Sequence, residues 1–476
     1  MSVAPEEPPA EDHVSDLRDE KPLSVSSPID HWHDLLRPDV ELTEGYWQAL
    51  ADRMRAARLT FGGRLNCPFL RPIFVSRADL ARVRAVAEPI ARVGERVVEA
   101  AMAEPALLDE LGLSEAEQAL AAIEPGYATA STASRLDSFL LPDSLSFAEY
   151  NAESPAGLAY TETLSEVFDA LDVMRRFRER FEADYFKVTD ALLHALLESY
   201  REWGGTADPP TVLVTDWREV PTWAEFEIIQ ARFEQLGVPT VVVDPRELEF
   251  DGRSLVAAGR AIDLVYRRVL INDILARPDE CRALVDAYRS RAVCVANTFR
   301  CKIPHKKAFF AVLTDERFAH LFSADERALF ARHVPWTRVV ADVGTSFEGR
   351  AVGLLALLRG ARDSFVVKPN DEYGGAGVVL GWETDAAAWD RALEAALAAP
   401  RGTWIAQRRI DVRREVFPMV EAPFRVAMRD VLVDLAPYLF RGRLSGFLTR
   451  LSTSGLANVT SGGGQVPAFV VEPRTD

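Results

Sequence analysis

DSFVVKPNDEYGGAGVVLGWE, residues 363–383, contains a lysine that ends one apolar segment and precedes a glycine-rich loop leading into a second. The two apolar segments predict a pair of strands. Because glycine has no side chain, the backbone N–H groups of such a loop can come close to an anion. The P-loop has the reverse order, with its glycines before the lysine. The stretch therefore predicts a flap that covers a phosphate group with Lys368 on its first strand; an exposed hairpin is the alternative.

Length and charge limit the classes of function. The chain has 476 residues and a net charge of −17, which predicts two or three structural units and argues against general nucleic-acid binding. No apolar run is long enough to span a bilayer, and the N-terminus lacks an apolar signal core, so we expect no membrane association. The four cysteines are scattered, which favours a reducing, cytoplasmic location.

Lysine is rare in this chain and unevenly placed. Only six of the 55 basic residues are lysines, and four of these six fall within 302–307 or at 368. Arginine does not replace the compact ammonium group at every kind of site. The clustering suggests a specific need for lysine in these two stretches, although the skew toward arginine can also come from genomic base composition.

Composition and hydrophobic periodicity divide the chain into five segments. The middle of the chain alternates buried strands with helices but lacks a GxGxxG turn, which predicts a Rossmann-like unit without a dinucleotide fingerprint. The predicted segments are a disordered acidic tail (1–27), a helical region (28–130), a unit opening with a hairpin (131–205), the Rossmann-like unit (206–335) and a unit containing the flap (336–476).

The segment RLDSFLLPDSLSFAEYNAE, residues 135–153, predicts a hairpin that carries an acidic face. Glu149 and Asn151 are two residues apart on a strand and therefore point to the same side. Asp137 on the partner strand can join them. Two carboxylates and an amide oxygen suit Mg²⁺; a solvated hairpin face is the alternative.

Other candidate residues have weaker individual signals. The strand TWIAQRRI, 403–410, can offer its backbone to an adenine edge, although a plain core strand explains it equally well. Arg450 on a later strand can stabilise charge that develops on a γ-phosphate, or form a surface ion pair. Arg267 and Arg268 can bind a substrate carboxylate, or form salt bridges between domains.

Together these pieces resemble the ATP-grasp ligases, and more narrowly the circularly permuted group that includes glutathionylspermidine synthetase-like proteins. The matching motifs are R-x-D at 135–137, F-x-E-Y-N-A at 147–152, K-K-A at 306–308 and K-P-x-x-x-x-G-G-x-G at 368–377. In ordinary ATP-grasp enzymes the nucleotide lysines come before the acidic E-x-N site. The reversed order found here is what a circular permutation gives.

The resemblance implies an α/β (α+β) circularly permuted ATP-grasp fold, in which 131–205 carries the Mg²⁺ site, 206–335 is the substrate subdomain and 336–476 holds the ATP flap. It also implies a role for each matched residue. Lys302 and Lys306 stay open as alternatives to Lys307, because that match is short. The implied roles are Mg²⁺ binding by Asp137, Glu149 and Asn151; phosphate binding by Lys307, Lys368, Gly374, Gly375 and Gly377; adenine contact by Gln407 and Ile405; and a catalytic position facing the acyl phosphate for Arg135. Arg450 remains the second catalytic candidate, on the ground given above.

The activity implied is an ATP- and Mg²⁺-dependent ligase that joins a small-molecule carboxylate, or a peptide, to an amine or thiol through an acyl phosphate. No Ser–His or Cys–His arrangement is evident in the sequence, and such a reaction needs no protein nucleophile. No amidase domain of the bifunctional glutathionylspermidine synthetases is recognisable, which leaves the substrates open. The alternatives are a non-catalytic ATP-binding regulator or scaffold and, with less support from the dispersed histidines, a metal-dependent hydrolase.

Overall fold

The computed structural model describes residues 27–36, 40–61, 64–421, 424–453 and 463–474. Up to residue 26, the predicted disordered tail lies outside the described residues. Among the described helices, none combines the length and the apolarity that crossing a membrane requires. The helices are Pro28–Leu36, Val40–Ala56, Arg77–Ala103, Pro105–Leu111, Glu115–Ala121, Leu158–Asp169, Asp172–Phe177, Val188–Trp203, Trp223–Gln235, Ile271–Ala276, Arg282–Arg289, Lys302–His305, Ala308–Thr314, Ala324–His333, Leu354–Gly360 and Ala386–Ala398.

A four-stranded parallel sheet forms the centre of the predicted Rossmann-like unit. Its strands are continuous apolar runs that are almost wholly buried, as parallel strands covered on both faces must be. Small antiparallel strands at Glu249–Phe250, Leu255–Ala257 and Arg260–Ile262 pack beside it. The order of the parallel strands across the sheet is Cys294–Ala296, Leu264–Arg267, Val212–Thr215 and Thr240–Val243.

The predicted acidic hairpin is part of a larger antiparallel sheet. The long strand Arg425–Phe440 pairs with Ala133–Leu140 through its last residues, so that distant parts of the chain build one sheet. All eight residues of Ala133–Leu140 are buried. The strand order is Gly464–Val466, Arg443–Ser452, Arg425–Phe440, Ala133–Leu140 and Leu145–Asn151, with Arg413–Glu421 paired to the first half of the long strand.

The flap belongs to a separate antiparallel sheet. Phe365–Pro369 pairs with Val379–Leu380 on one side and with Trp404–Arg408 on the other, which confirms the strand–loop–strand prediction. Thr337–Val339 completes this sheet, and Gly344–Phe347 and Arg350–Gly353 form a hairpin nearby.

The N-terminal region is mainly helical, as predicted, but it also contains strands. Thr60–Phe61 pairs with Arg64–Leu65, and Ile73–Ser76 pairs in parallel with Ala468–Pro473. Ala468–Pro473 in turn pairs with Phe181–Asp184. Sequence periodicity could not show the Ile73–Ser76 strand because its partner lies almost four hundred residues away. The domain boundaries themselves stay predictions.

A close backbone approach joins the N-terminal helices to the flap sheet. Gly112 has a φ of 75°, and a Cβ built on it would lie 2.3 Å from the carbonyl oxygen of Gly402. Gly259 has a φ of 71° with nothing within 4 Å of such a Cβ. An alanine at either position would therefore adopt a similarly unfavourable left-handed φ, but only at Gly112 would it also meet a close neighbour.

We expect Gly259→Ala to lower the free energy of unfolding by about 1–2 kcal/mol, the cost of a left-handed L-residue. Gly112→Ala should cost clearly more, because the backbone of the 400–403 turn must also move. Urea unfolding of both variants measures the difference. Equal losses would contradict the proposed close packing at Gly112.

Candidate active site

The acidic hairpin brings its predicted ligands together. Asp137 is the direct cross-strand partner of Glu149, and Arg135 is the partner of Asn151. The amide nitrogen Nδ2 of Asn151 donates to Oε1 of Glu149 at 3.2 Å. The two carboxylates and the amide thus lie on one face of the hairpin, as the two-residue spacing predicted.

Cations surround these carboxylates. Nε of Arg135 donates to Oδ1 of Asp137 at 2.8 Å, and Nη2 of Arg450 donates to Oδ2 at 2.5 Å. Nζ of Lys307 lies 3.4 Å from Oε2 of Glu149. Burial alone would raise the pKa of Asp137, but the two arginines outweigh it and hold this pKa well below its usual value. The carboxylate is therefore ionised throughout the physiological range.

Asp434 is a third carboxylate that the sequence reasoning missed. It accepts a hydrogen bond from Nε of Arg450 at 2.6 Å, so that Arg450 bridges Asp434 and Asp137. Burial raises the pKa of Asp434 to about 6 although Arg450 acts in the opposite direction. Asp434 sits on the long strand, directly opposite Arg450 in the ladder. Only that pairing reveals its place in the site.

Lys368 is buried at the end of its strand. Its Nζ donates to Oε1 of Gln407 at 2.9 Å and to the carbonyl oxygen of Ala148 at 3.2 Å. Burial lowers the pKa of Lys368 to about 8, Glu149 raises it, and the neighbouring Lys307 lowers it further. An anion placed between the two lysines would relieve their mutual repulsion.

The glycine loop has a fixed base and an exposed tip. Asn370 accepts the N–H of Ala308 at 2.7 Å and donates to the carbonyl oxygens of Leu111 and Gly402 at 2.8 and 2.6 Å. Nζ of Lys307 donates to the carbonyl oxygen of Glu372 at 2.6 Å. At the tip the side chain of Tyr373 is 72% exposed. The three predicted glycines have positive φ values of 66° to 79°, which other residues rarely adopt.

A cavity of about 190 Å³ lies between the flap sheet and the acidic hairpin. Its lining combines charged and apolar side chains, which is the combination that a nucleotide with its phosphates requires. The predicted residues lining it are Asp137, Glu149, Lys307, Lys368, Gly374, Gly375, Gln407 and Arg450. The apolar lining includes Phe139, Val366, Val378, Leu380, Ile410 and Val412.

Some predicted residues are not in the cavity wall. Ile405 is fully buried against Ala308 and Val339, so its side chain does not face an adenine. Gly377 does not line the cavity, and neither do Arg135 and Asn151, which donate hydrogen bonds to its carboxylates. The segment Arg408–Ile410, the last part of the predicted adenine strand, does line the cavity.

The three lysines at 302, 306 and 307 face two different places, the flap base and the cavity. Lys302 and Lys306 do not line the cavity; their Nζ atoms lie 2.8 and 2.6 Å from the carboxylate oxygens of Asp371 in the flap base. Lys306 also donates to Glu117 at 2.8 Å. Of the three lysines left open by the sequence, Lys307 is therefore the one that faces the cavity.

Arg267 and Arg268, predicted to bind substrate, lie away from this cavity. Arg267 has no exposed surface and donates to Glu153 at 3.2 Å and to the carbonyl oxygen of Val269 at 2.6 Å. Its geometry favours the salt-bridge alternative, which a sequence pattern could not distinguish from substrate binding. Arg268 occupies a different environment, described below.

The donor set fits the Mg²⁺ that the resemblance implies. Asp137, Glu149 and Asn151 supply the hard oxygen ligands that Mg²⁺ takes. In the part of the chain that the structure describes, no group of three or more His, Cys, Asp or Glu side chains is arranged to hold a metal ion. The two carboxylates are instead paired with Arg135, Arg450 and Lys307. Metal binding would thus require these cations to give up part of their pairing.

Comparison with known proteins identifies the family. The fold and the cavity define a mixed α/β protein with a partly charged cavity between two sheets. The family model described as "A circularly permuted ATPgrasp" matches residues 142–407, more than half of the chain. The chain belongs to the circularly permuted ATP-grasp family. This confirms the predicted fold class.

Three similar proteins support the assignment. A protein from Frankia casuarinae, provisionally named glutamate–cysteine ligase 2-2, is 25% identical over 296 residues, which are 59% of this chain and 32% of the relative. One from Frankia alni, provisionally named glutamate–cysteine ligase 2-3, is 27% identical over 295 residues with the same shares. A glutathione synthetase-like effector from Globodera pallida has a TM-score of 0.57 at 12% identity, covering 91% of this chain and 98% of that one.

The matched part of the chain spans about a third of the length of the two curated relatives. The effector's low identity shows likeness of fold alone.

We expect Arg267→Met to lower the free energy of unfolding by roughly 3–5 kcal/mol, because it removes one partner of a buried ion pair. Arg282→Met is the matched control, since Arg282 pairs with Asp279 at the surface and should leave stability unchanged. Urea unfolding followed by circular dichroism compares the two. A fully stable Arg267→Met protein would contradict the structural role.

Proposed function

We propose that the protein is an ATP- and Mg²⁺-dependent carboxylate–amine or carboxylate–thiol ligase. One observation carries this proposal: two lysines from distant stretches, a glycine loop and paired carboxylates line one cavity together with apolar side chains. The relatives' provisional names, which refer to joining glutamate and cysteine, point to amide formation between small molecules.

In the proposed reaction an oxygen of the substrate carboxylate attacks the γ-phosphorus of ATP, and the bond to the β-phosphate oxygen breaks to release ADP. The amine then attacks the carbonyl carbon of the acyl phosphate. The C–O bond to phosphate breaks, phosphate leaves with the electron pair, and the amine loses a proton to solvent. When bound, Mg²⁺ supplies neutralisation of phosphate charge.

The chain's own residues position the nucleotide and neutralise the charge of its phosphates. Lys307 and Lys368 pair with phosphate oxygens, and the loop around Gly374 and Gly375 presents backbone N–H groups to them. Arg450 is held between Asp137 and Asp434 at hydrogen-bond distance and lines the cavity. Gln407 and the segment 408–410 line it beside Val366 and Leu380, where the adenine ring would lie.

We expect Mg·ATP to bind the wild-type protein with micromolar affinity. Lys368→Ala should weaken binding about 10- to 100-fold, because it removes a charge-assisted hydrogen bond to phosphate. Glu149→Gln should weaken Mg·ATP but leave binding of metal-free ATP less affected. Lys187→Ala is the control, because Lys187 pairs with Glu166 at the surface. Isothermal calorimetry measures all four proteins.

The same preparations distinguish a ligase from a non-catalytic ATP-binding protein. A ligase releases ADP and phosphate in equal amounts when supplied with its acid and amine, and this release should fall together with nucleotide binding in Lys368→Ala. Mg·ATP binding without ADP release from pooled acids and amines would favour the regulator or scaffold alternative. Absence of nucleotide binding to the folded wild-type protein would overturn both.

A further inference from the structure

The carboxyl edge of the parallel sheet carries two opposite charges side by side. Thr215 and Arg267 are paired in register on neighbouring parallel strands, so Asp216 and Arg268 leave the sheet next to each other. The N–H of Arg268 donates to the carbonyl oxygen of Thr215 at 3.0 Å. In open α/β sheets, ligands bind outside the carboxyl ends of the strands.

Polar groups at this edge are buried without full partners. The side chains of Asp216 and Arg268 are buried, at 7% and 4% exposure. Among the residues that the structure describes, these two form no ion pair with each other within 4.0 Å. Nε of Arg268, Nε1 of Trp217 and Oγ1 of Thr215 are buried with no hydrogen-bond partner. Burying such groups unpaired costs stability. Trp217 packs with a different core cluster from the Phe226 and Tyr266 rings that cover Arg268, so Nε of Arg268 is the unpartnered group beside Asp216 that points to a polar ligand.

Hydrogen bonds engage one side of each group, and the buried carboxylate of Glu225 also interacts electrostatically with Arg268. Oδ1 of Asp216 accepts the N–H of Trp217 at 2.8 Å. Nη1 of Arg268 donates to the carbonyl oxygen of Pro155 at 2.8 Å and to the hydroxyl of Tyr266 at 3.2 Å. Burial raises the pKa of Asp216 to about 6, Arg268 lowers it and the nearby Asp273 raises it. A positively charged group beside Asp216 would offset the free-energy cost of burying its ionised carboxylate.

Two sets of contacts connect this edge to the cavity. Arg268 donates to the carbonyl of Pro155, while Arg135, which holds Asp137, donates to the adjacent carbonyl of Ala156 at 3.2 Å. On the other side, Asn272 donates to Asp371 of the flap base at 3.1 Å. These contacts link the edge to the hairpin residue that holds Asp137 and to the flap base, the two elements between which the cavity lies.

We propose that Asp216 and Arg268 bind the α-ammonium and α-carboxylate groups of an acidic L-amino acid, glutamate or aspartate, which the ligase activates at its side-chain carboxylate. With both α groups held, the side chain is the part left to reach the cavity past Arg135. Its carboxylate oxygen attacks the γ-phosphorus, ADP leaves, and an amine then displaces phosphate from the acyl carbon. This inference rests on the proposed ligase function.

Hydroxylamine tests the inference, because it displaces phosphate from an acyl phosphate and leaves a stable hydroxamate. With Mg·ATP, wild-type protein should form hydroxamate from L-glutamate or L-aspartate at least tenfold more efficiently, as kcat/KM, than from glutarate or 4-aminobutyrate. Glutarate lacks the α-ammonium group and 4-aminobutyrate lacks the α-carboxylate. L-glutamine should compete as an inhibitor without giving hydroxamate.

The variants separate recognition from folding. Asp216→Asn should raise KM for the amino acid at least tenfold but leave KM for glutarate unchanged, because glutarate has no α-ammonium group. Arg268→Gln should also raise KM for the amino acid at least tenfold but leave KM for 4-aminobutyrate unchanged, because that compound has no α-carboxylate. Arg268→Lys serves if Arg268→Gln fails to fold. Asp190→Asn and Arg232→Gln, which break a helix-surface ion pair elsewhere, are the controls and should keep the wild-type preference.

Stability gives a second readout for Asp216. Above its folded-state pKa of about 6 the buried carboxylate is charged and costly, whereas below the ordinary value of 3.8 it is neutral in both states. Asp216→Asn should therefore raise Tm at pH 7.5 and lose this advantage below pH 4. The charged groups that face Asp216 are Arg267, Arg268 and Asp273.

The outcomes distinguish the two proposals. If Mg·ATP binds and other acids give hydroxamate but glutamate and aspartate do not, the inference about Asp216 and Arg268 is wrong and the ligase proposal stands. An unchanged preference in Asp216→Asn and Arg268→Gln would also overturn the inference. If Mg·ATP does not bind, the ligase proposal itself fails.

Discussion

An ammonium group taken out of water needs a nearby negative charge, and this requirement connects the parts of the site. Lys302 lies 3.1 Å from Glu153 and 2.8 Å from Asp371, which come from the acidic hairpin's following loop and from the flap base. Lys306 adds Glu117 from the N-terminal helices. Four distant segments thereby share one buried charge network, and the flap base is fixed by it.

The same constraint prepares the cavity for an anionic ligand. Asp137, Glu149 and Asp434, three carboxylates that line it, are each paired with a cation. Arg450 joins Asp137 to Asp434, and Lys307 joins Glu149 to the flap. Phosphates would compete for these cations, so that binding exchanges one set of charge pairs for another. Such an arrangement is organised before the ligand arrives, which reduces the reorganisation that catalysis requires.

Local sequence was sufficient to predict the two hairpins and several residues of the candidate site. The spacing of Glu149 and Asn151 and the order of Lys368 and its glycines are properties of single hairpins, and both were predicted. Asp434 and Asp371 were missed because their role arises from pairing across hundreds of residues. Ile405 and Gln407 share a strand face, yet depth in the sheet rather than spacing decides that only Gln407 reaches the cavity. For Arg267, the sequence could not distinguish a buried structural pair from a ligand site.

The most direct test of this account is a crystal structure with Mg²⁺ and a non-hydrolysable ATP analogue. The account predicts the triphosphate between Lys307 and Lys368 under the glycine loop, the adenine against the segment 407–410, and the metal ion at Asp137, Glu149 and Asn151. A nucleotide bound elsewhere, or phosphates that contact neither lysine, would contradict it.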